Sequence, residues 1–211
     1  MCHGTPAPYI WRDYLNYTEK KHKGKATSVN FRDKEVLGWT AHKESFIIKN
    51  KKVIADTYTD LFYKHIILRH SCETCYFTNT KRPSDITLAD FWGWEEVSPK
   101  FNQDDKGVSL VLINTSKGIN IFNNISAEIN KIETTLEIAR KLNHPLNMPS
   151  VASPQRINFE KDYAAQGFTY VAKKYGNIGL LYKMKQRHPF IAKIIWNINN
   201  RIINRLWKEK K

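Results

Sequence analysis

Cys72 and Cys75 stand three apart in Arg69-His70-Ser71-Cys72-Glu73-Thr74-Cys75-Tyr76-Phe77, and the third cysteine, Cys2, lies far upstream in Met1-Cys2-His3-Gly4-Thr5-Pro6. A close pair with a remote partner is the pattern a metal needs: soft thiolates that folding brings to one point. Three thiolates fall one short of the usual four of a cubane cluster. On spacing alone, three free and partly buried thiols explain the pattern equally well. An odd count argues against a disulfide scaffold. A zinc shell of Cys2, His3, Cys72 and Cys75 would be four-coordinate, but an adjacent Cys and His rarely both reach one ion, which ranks zinc below iron–sulfur. A thioredoxin-like pair ranks lower again, because Cys72 and Cys75 lie in a polar loop with no evident helix behind them.

At 211 residues the chain is one domain, or one domain with an appendage. Its residues are 41% hydrophobic and 12% aromatic, enough to build a core rather than a disordered chain. No apolar run approaches the roughly 20 residues of a membrane span. Met1 is followed by Cys2-His3-Gly4 and not by the basic and apolar stretches of a secretory signal, so a cytoplasmic location is expected. The net charge is +14, and residues 168–211 hold eleven Lys or Arg against one acid, Glu209. That surplus points to an anionic partner and says little about fold.

Pro8 and Gly24 bracket an amphipathic stretch with Trp11, Tyr14 and Leu15, which predicts a helix over 9–23. Alternation predicts a strand over 25–32, with Val29 and Phe31 on one face. Two further strands, 38–49 and 53–58, are expected around a turn at Asn50-Lys51. A short apolar stretch over 60–68 suits a helix that delivers the chain to the cysteine loop, and 69–84 reads as that loop. A β-prone run over 85–91 breaks at Trp92-Gly93-Trp94. The continuous run 107–114 suits a buried central strand. Thr115-Ser116 caps a helix carrying Ile119, Phe122 and Ile125. Pro145, Pro149 and Pro154 mark an irregular stretch, and from about Asn158 the pattern is helical. The expected class is α+β (mixed α/β): a central β-sheet in the first half, flanking helices and a helical basic C-terminal tail. The expected division is a domain over 1–157 and an extension over 158–211.

Two carboxylates, Asp85 and Asp90, flank the strand that ends at Trp92-Gly93. Gly93 admits close backbone approach by a planar ligand, and Trp92 can stack on one. An ordinary buried strand and turn fits the same residues. His3, His65 and His70 are candidate proton carriers near neutral pH, His3 foremost because it adjoins Cys2. Arg32, Lys81 and Arg82 are candidate phosphate contacts, although a solvated basic loop is the commoner meaning of such residues. Neither dinucleotide fingerprint is present. In the tail, Ile191, Ile194, Ile195, Ile198, Ile202 and Leu206 share one helical face after Pro189. Packing on the parent domain and docking to an anionic membrane surface or partner both fit, with Trp196 and Trp207 suited to a headgroup boundary. Nucleic acid is disfavoured for want of a docking motif.

Four segments, taken in order, resemble one family. Cys2-His3-Gly4-Thr5-Pro6-Ala7-Pro8 looks like a Cys-His-Gly-Val-Pro-Ser-Pro segment, and Cys72-Glu73-Thr74-Cys75-Tyr76-Phe77 like a Cys-x-x-Cys. Ser84-Asp85-Ile86-Thr87-Leu88-Ala89-Asp90-Phe91-Trp92-Gly93 looks like Asp-Ile-Thr-x-x-Asp-x-Trp-Gly, and residues 105–115 look like the strand beyond it. The family is that of the coenzyme F420 hydrogenase and dehydrogenase beta subunits, in their C-terminal domain, and the likeness covers about residues 1–130. It implies an oxidoreductase with FAD and a [4Fe–4S] cluster, relaying electrons between a two-electron carrier and one-electron partners. It implies Cys2, Cys72 and Cys75 as cluster ligands, the fourth coming from elsewhere, and places Asp85, Asp90, Trp92 and Gly93 near cluster and flavin. Family members usually carry a preceding half with a Gly-Thr-Pro-Cys loop. The expectation is therefore a fragment or split subunit whose partner is that half or a redox protein. The alternative is a redox-inactive scaffold whose tail, 189–211, docks to a membrane or partner.

Overall fold

The structure is a computed structural model and describes residues 2–40 and 42–176. The basic helical face expected over 189–211 lies outside the described residues. The α+β expectation holds, with two small antiparallel sheets in place of one central sheet.

Helix α1 (Pro8–His22) starts with proline at its first turn, where no backbone donor is needed, and stops at Lys23 in the left-handed region (φ 54°). Its lower face buries Ile10 and Tyr14. Strands β1 (Ala26–Asn30), β2 (Glu44–Ile48) and β3 (Lys51–Ala55) pair antiparallel in that order. Lys49 (φ 52°) and Asn50 (φ 58°) make the two-residue hairpin turn, with Ile48 opposite Lys51. The turn thus sits one residue before the expected Asn50-Lys51, because both left-handed residues must lie between the paired ends. A short helix α2 (Lys34–Leu37) occupies the β1–β2 connection.

Helix α3 (Thr57–Tyr63) buries Leu61 and leads into Ile66, Ile67 and Leu68, all buried. The basic stretch after the prolines forms α6 (Arg156–Gln166) and α7 (Phe168–Tyr175), broken at Gly167. Phe159, Phe168, Val171 and Tyr175 complete the core begun by Ile10, Tyr14, Phe46 and Leu61. Burying such side chains contributes roughly 1.5–3 kcal/mol each.

The second sheet is a ribbon of β4 (Ile86–Asp90) and β5 (Ser109–Ile113), with Ile86 opposite Ile113 and Asp90 opposite Ser109. β5 is not the buried central strand expected from its apolar run: only Leu110 is buried, and Ser109 and Ile113 are exposed. Its continuous hydrophobicity serves a satellite core on one face, where Phe91, Leu110, Ala139 and Leu146 meet. Helix α4 (Ser116–Ile125) is capped as expected, Thr115 accepting from Gly118 N at 3.1 Å. A helix not foreseen, α5 (Leu136–Leu142), is capped in the same way by Thr135, at 3.3 Å from Ile138 N. No helix among the described residues is long and apolar enough to cross a membrane.

Candidate functional site

The N-terminal segment runs back across the end of the Ile66–Leu68 stretch. Pro6 and Leu68 form an antiparallel bridge, and Arg69 N donates to Thr5 O at 2.9 Å. Two of the three sulfurs consequently meet around one residue. Thr5 N donates to Cys72 Sγ at 3.3 Å, and Cys2 Sγ lies 3.8 Å from Thr5 Oγ1. Cys2 Sγ also accepts from Gly4 N at 3.4 Å. Cys72 closes a 3-10 turn, His70–Cys72, and Cys75 follows in the next loop. All three cysteines are free, Cys2 exposed and the other two half-buried.

The second part of the site is an aromatic and charged cluster between the two sheets. Arg32, just past β1, pairs with Asp90 at the end of β4 and donates to Trp39 O at 3.0 Å. Its guanidinium lies 4.1 Å from the Trp39 ring centroid and 5.5 Å from that of Trp92. The Trp39 and Trp92 rings are 5.0 Å apart, and His42 stacks on Trp92 at 5.3 Å. The Tyr63 hydroxyl and His42 Nδ1 are hydrogen-bonded at 2.7 Å. Asn143, fully buried, clamps the Trp92 backbone: its Nδ2 donates to Trp92 O at 3.1 Å, and its Oδ1 accepts from Trp92 N at 3.3 Å.

His3 joins the two parts. Burial lowers its pKa below the ordinary value; Asp90 opposes the drop, and Arg32 and His65 add to it. His3 O accepts from Ser150 Oγ at 3.2 Å. His65 is engaged elsewhere, its Nδ1 lying 2.8 Å from Val151 O. His70 lies between two carboxylates, 3.6 Å from Glu73 and 3.2 Å from Glu160.

The structure separates the two carboxylates that flank β4. Asp90, Trp92 and Gly93 gather at one end, where a methyl group on Gly93 would come within 3.0 Å of Leu142. Asp85 lies at the other end, about 17 Å away along an extended strand. It accepts from Thr115 Oγ1 at 2.5 Å and faces Lys117 at 3.4 Å, contacts that hold its carboxyl below the usual range. Asp85 therefore ties β4 to the start of α4. The basic residues also find other work. Arg32 is half-buried and committed to Asp90 and two indoles. Arg82 staples its own loop, Nη1 donating to Phe77 O and to Asn79 O at 3.2 Å. Trp39, His42, Tyr63 and Asn143 carried no periodic signal in the sequence; their convergence is tertiary.

Among the described residues, no group of three or more His, Cys, Asp or Glu stands close enough to hold one metal ion. The donor chemistry of the three thiols suits iron and sulfide, but their arrangement does not close a ligand set.

A thiol-bearing α+β domain with a Trp-Gly turn beside its cysteine segment is what the geometry defines. A family model, that of the C terminus of the coenzyme F420 hydrogenase/dehydrogenase beta subunit, matches residues 1–137, and the chain belongs to this family. No curated protein and no solved structure matches the chain.

The cluster has a pH signature. Burial first, then Arg32, pushes His42 down to about 4, with Asp90 opposing. Unfolded, its pKa returns to about 6.5, so between pH 4 and 6.5 the unfolded chain binds more protons. Stability should fall as pH drops through that window, by about 1–2 kcal/mol once solvent screening is allowed for. His42→Phe keeps a ring on Trp92 and removes the titration. Urea unfolding at pH 4.5 and 7 should show a smaller difference in the variant; an equal difference would clear His42 of the effect.

Proposed function

We propose that this domain is the cysteine-bearing part of an iron–sulfur flavoprotein oxidoreductase, relaying electrons between a two-electron carrier and one-electron partner proteins. The observation that carries the reading is the docking of residues 2–6 against the Cys72 turn, with Thr5 N on Cys72 Sγ at 3.3 Å. Family membership supplies the redox class.

Cys2, Cys72 and Cys75 are the ligands proposed for a [4Fe–4S] cluster, which when bound supplies single-electron transfer. Its assembly requires Cys2 and Cys75 to close on Cys72, with a fourth ligand from outside the described residues. Asp90, Trp92 and Gly93 are proposed to border the FAD, the Trp92 indole offering a stacking face. Asp85 supports this edge only through the strand.

Anaerobic reconstitution with iron and sulfide tests the reading. Wild-type protein, alone or with a partner protein, should gain charge-transfer absorption in the visible, an electron paramagnetic resonance signal on reduction, and acid-labile sulfide. Cys72→Ser should lose most of all three. Absence of labile sulfide in wild type under every condition sinks the proposal, as does an unchanged yield in Cys72→Ser.

A further inference from the structure

We infer that Arg156, outside the family-matched stretch, is the residue that positions the Cys72 turn. The inference takes that turn as the site proposed above but does not depend on any metal binding there. Arg156 begins α6, and its side chain is 7% exposed. The guanidinium is a fork with five fixed donors, and here it spends them on three separate acceptors. Nη2 donates to Leu68 O, four residues before Cys72. Nη1 donates to Glu73 Oε1 at 2.6 Å, one residue after it, and Nε donates to Glu160 Oε1 at 2.9 Å within α6. One planar group thereby grips the chain on both sides of the cysteine. The turn itself is short: Cys72 N bonds Arg69 O at 3.0 Å and Glu73 N bonds His70 O at 3.0 Å. Two such bonds hold a 3-10 turn weakly.

The grip is anchored from behind. Phe159, three residues along α6, is 2% exposed in the main core, so the guanidinium projects from a fixed helix. Leu68 is the residue that bridges to Pro6. Arg156 therefore also holds the strand against which the Cys2 segment lies. Lysine cannot replace it, since a single ammonium lacks the planar fork.

Thiol labelling of metal-free, fully reduced protein tests this. In a background carrying Cys2→Ser and Cys75→Ser, the rate of Cys72 modification by an aromatic disulfide reagent reads how often the turn opens. Arg156→Gln should raise that rate about tenfold, and Arg156→Lys should recover only part of the difference. Because Arg156 acts through Glu73, adding Glu73→Gln to Arg156→Gln should bring little further change, although Glu73→Gln alone accelerates labelling. Leu110→Val, which loosens the satellite core away from α6 and the fork, is the stability control and should leave the rate near that of the parent. The inference is overturned by an unchanged rate in Arg156→Gln, by full recovery in Arg156→Lys, by additive effects of the Arg156 and Glu73 changes, or by equal acceleration in Leu110→Val. None of these outcomes bears on whether iron and sulfide assemble. Failure of reconstitution with the rates as expected removes the electron-relay reading alone.

Discussion

Glu44→Ala should destabilise the domain by about 3–5 kcal/mol, a large share of the stability of a domain this size. Glu44 opens β2 with no exposed surface, and its carboxylate gathers three donors from two helices. Tyr14 OH from α1 and Thr59 Oγ1 from α3 donate to it, as does the Tyr58 backbone N–H at 3.3 Å. Burial and the adjacent carboxylate raise the Tyr14 hydroxyl well above its ordinary pKa, and Tyr58 is pushed up to about 12. Alanine leaves the buried Tyr14 hydroxyl and the half-buried Thr59 hydroxyl without their acceptor and opens a cavity beneath α1. Glu44→Gln keeps the volume and one acceptor, while the Thr59 hydroxyl can turn to accept from the new amide. That variant should cost about 1–2 kcal/mol. Urea unfolding ranks the two; Glu44→Ala within about 1 kcal/mol of wild type would show that the three donors find water instead.

Local signals carried a good part of this fold. Pro8 and the glycine after Lys23 bounded α1, Thr115 announced α4, and the two apolar runs became β4 and β5. Such features are decided within a few residues by capping and by missing donors, so they are legible in one dimension. What escaped was decided by partners distant in the chain. The run 107–114 has the composition of a central strand, yet β5 finds only β4, because the remaining strands pair among themselves around α1. Arg32 looks like a loop cation until Asp90, 58 residues on, takes it beneath two indoles. Nor is the grip of Arg156 on the turn marked locally, since two of its three acceptors sit 83 and 88 residues away. Cys2 and Cys72 were legible as partners only through resemblance. Spacing allowed three free thiols, and the contacts that join two of them, through the Thr5 hydroxyl and backbone N–H, are set by tertiary structure.

These distant contacts also explain why the two cores act on one site. The main core fixes α3 and α6, hence Leu68, Arg156 and the Cys72 turn. The satellite core fixes Asn143, and through it the Trp92 backbone. Arg32 and Trp39 lie between them, Arg32 pairing with Asp90 of β4 and the Trp39 ring meeting Trp92 at 5.0 Å. A change that moves Trp39 should therefore be felt at Trp92.

Gly107→Ala is that change, and its effect should be among the largest of any single methyl group in the chain. Gly107 has φ 91°, a conformation that costs an alanine on the order of 1–2 kcal/mol. The added Cβ would fall 1.8 Å from Trp39 Cε3 and 2.0 Å from Cζ3, inside an indole that is 3% exposed. The ring must leave, and losing a buried tryptophan's packing costs about 3–5 kcal/mol. Trp39 is also pinned by its backbone, Trp39 N donating to Asp105 Oδ1 at 3.3 Å, so it cannot slide away with its loop. Gly167→Ala is the matched control: φ is 73° and nothing lies within 4 Å of the new methyl, leaving backbone strain alone, about 1–3 kcal/mol. Thermal unfolding should separate the two variants by several degrees or more. Tryptophan fluorescence should shift to longer wavelength in Gly107→Ala only, because displacement wets an indole that Arg32 and Trp92 now cover. Equal destabilisation with matching spectra would mean that the chain beside Gly107 yields instead of the ring, and that Trp39 does not join the two halves of the site.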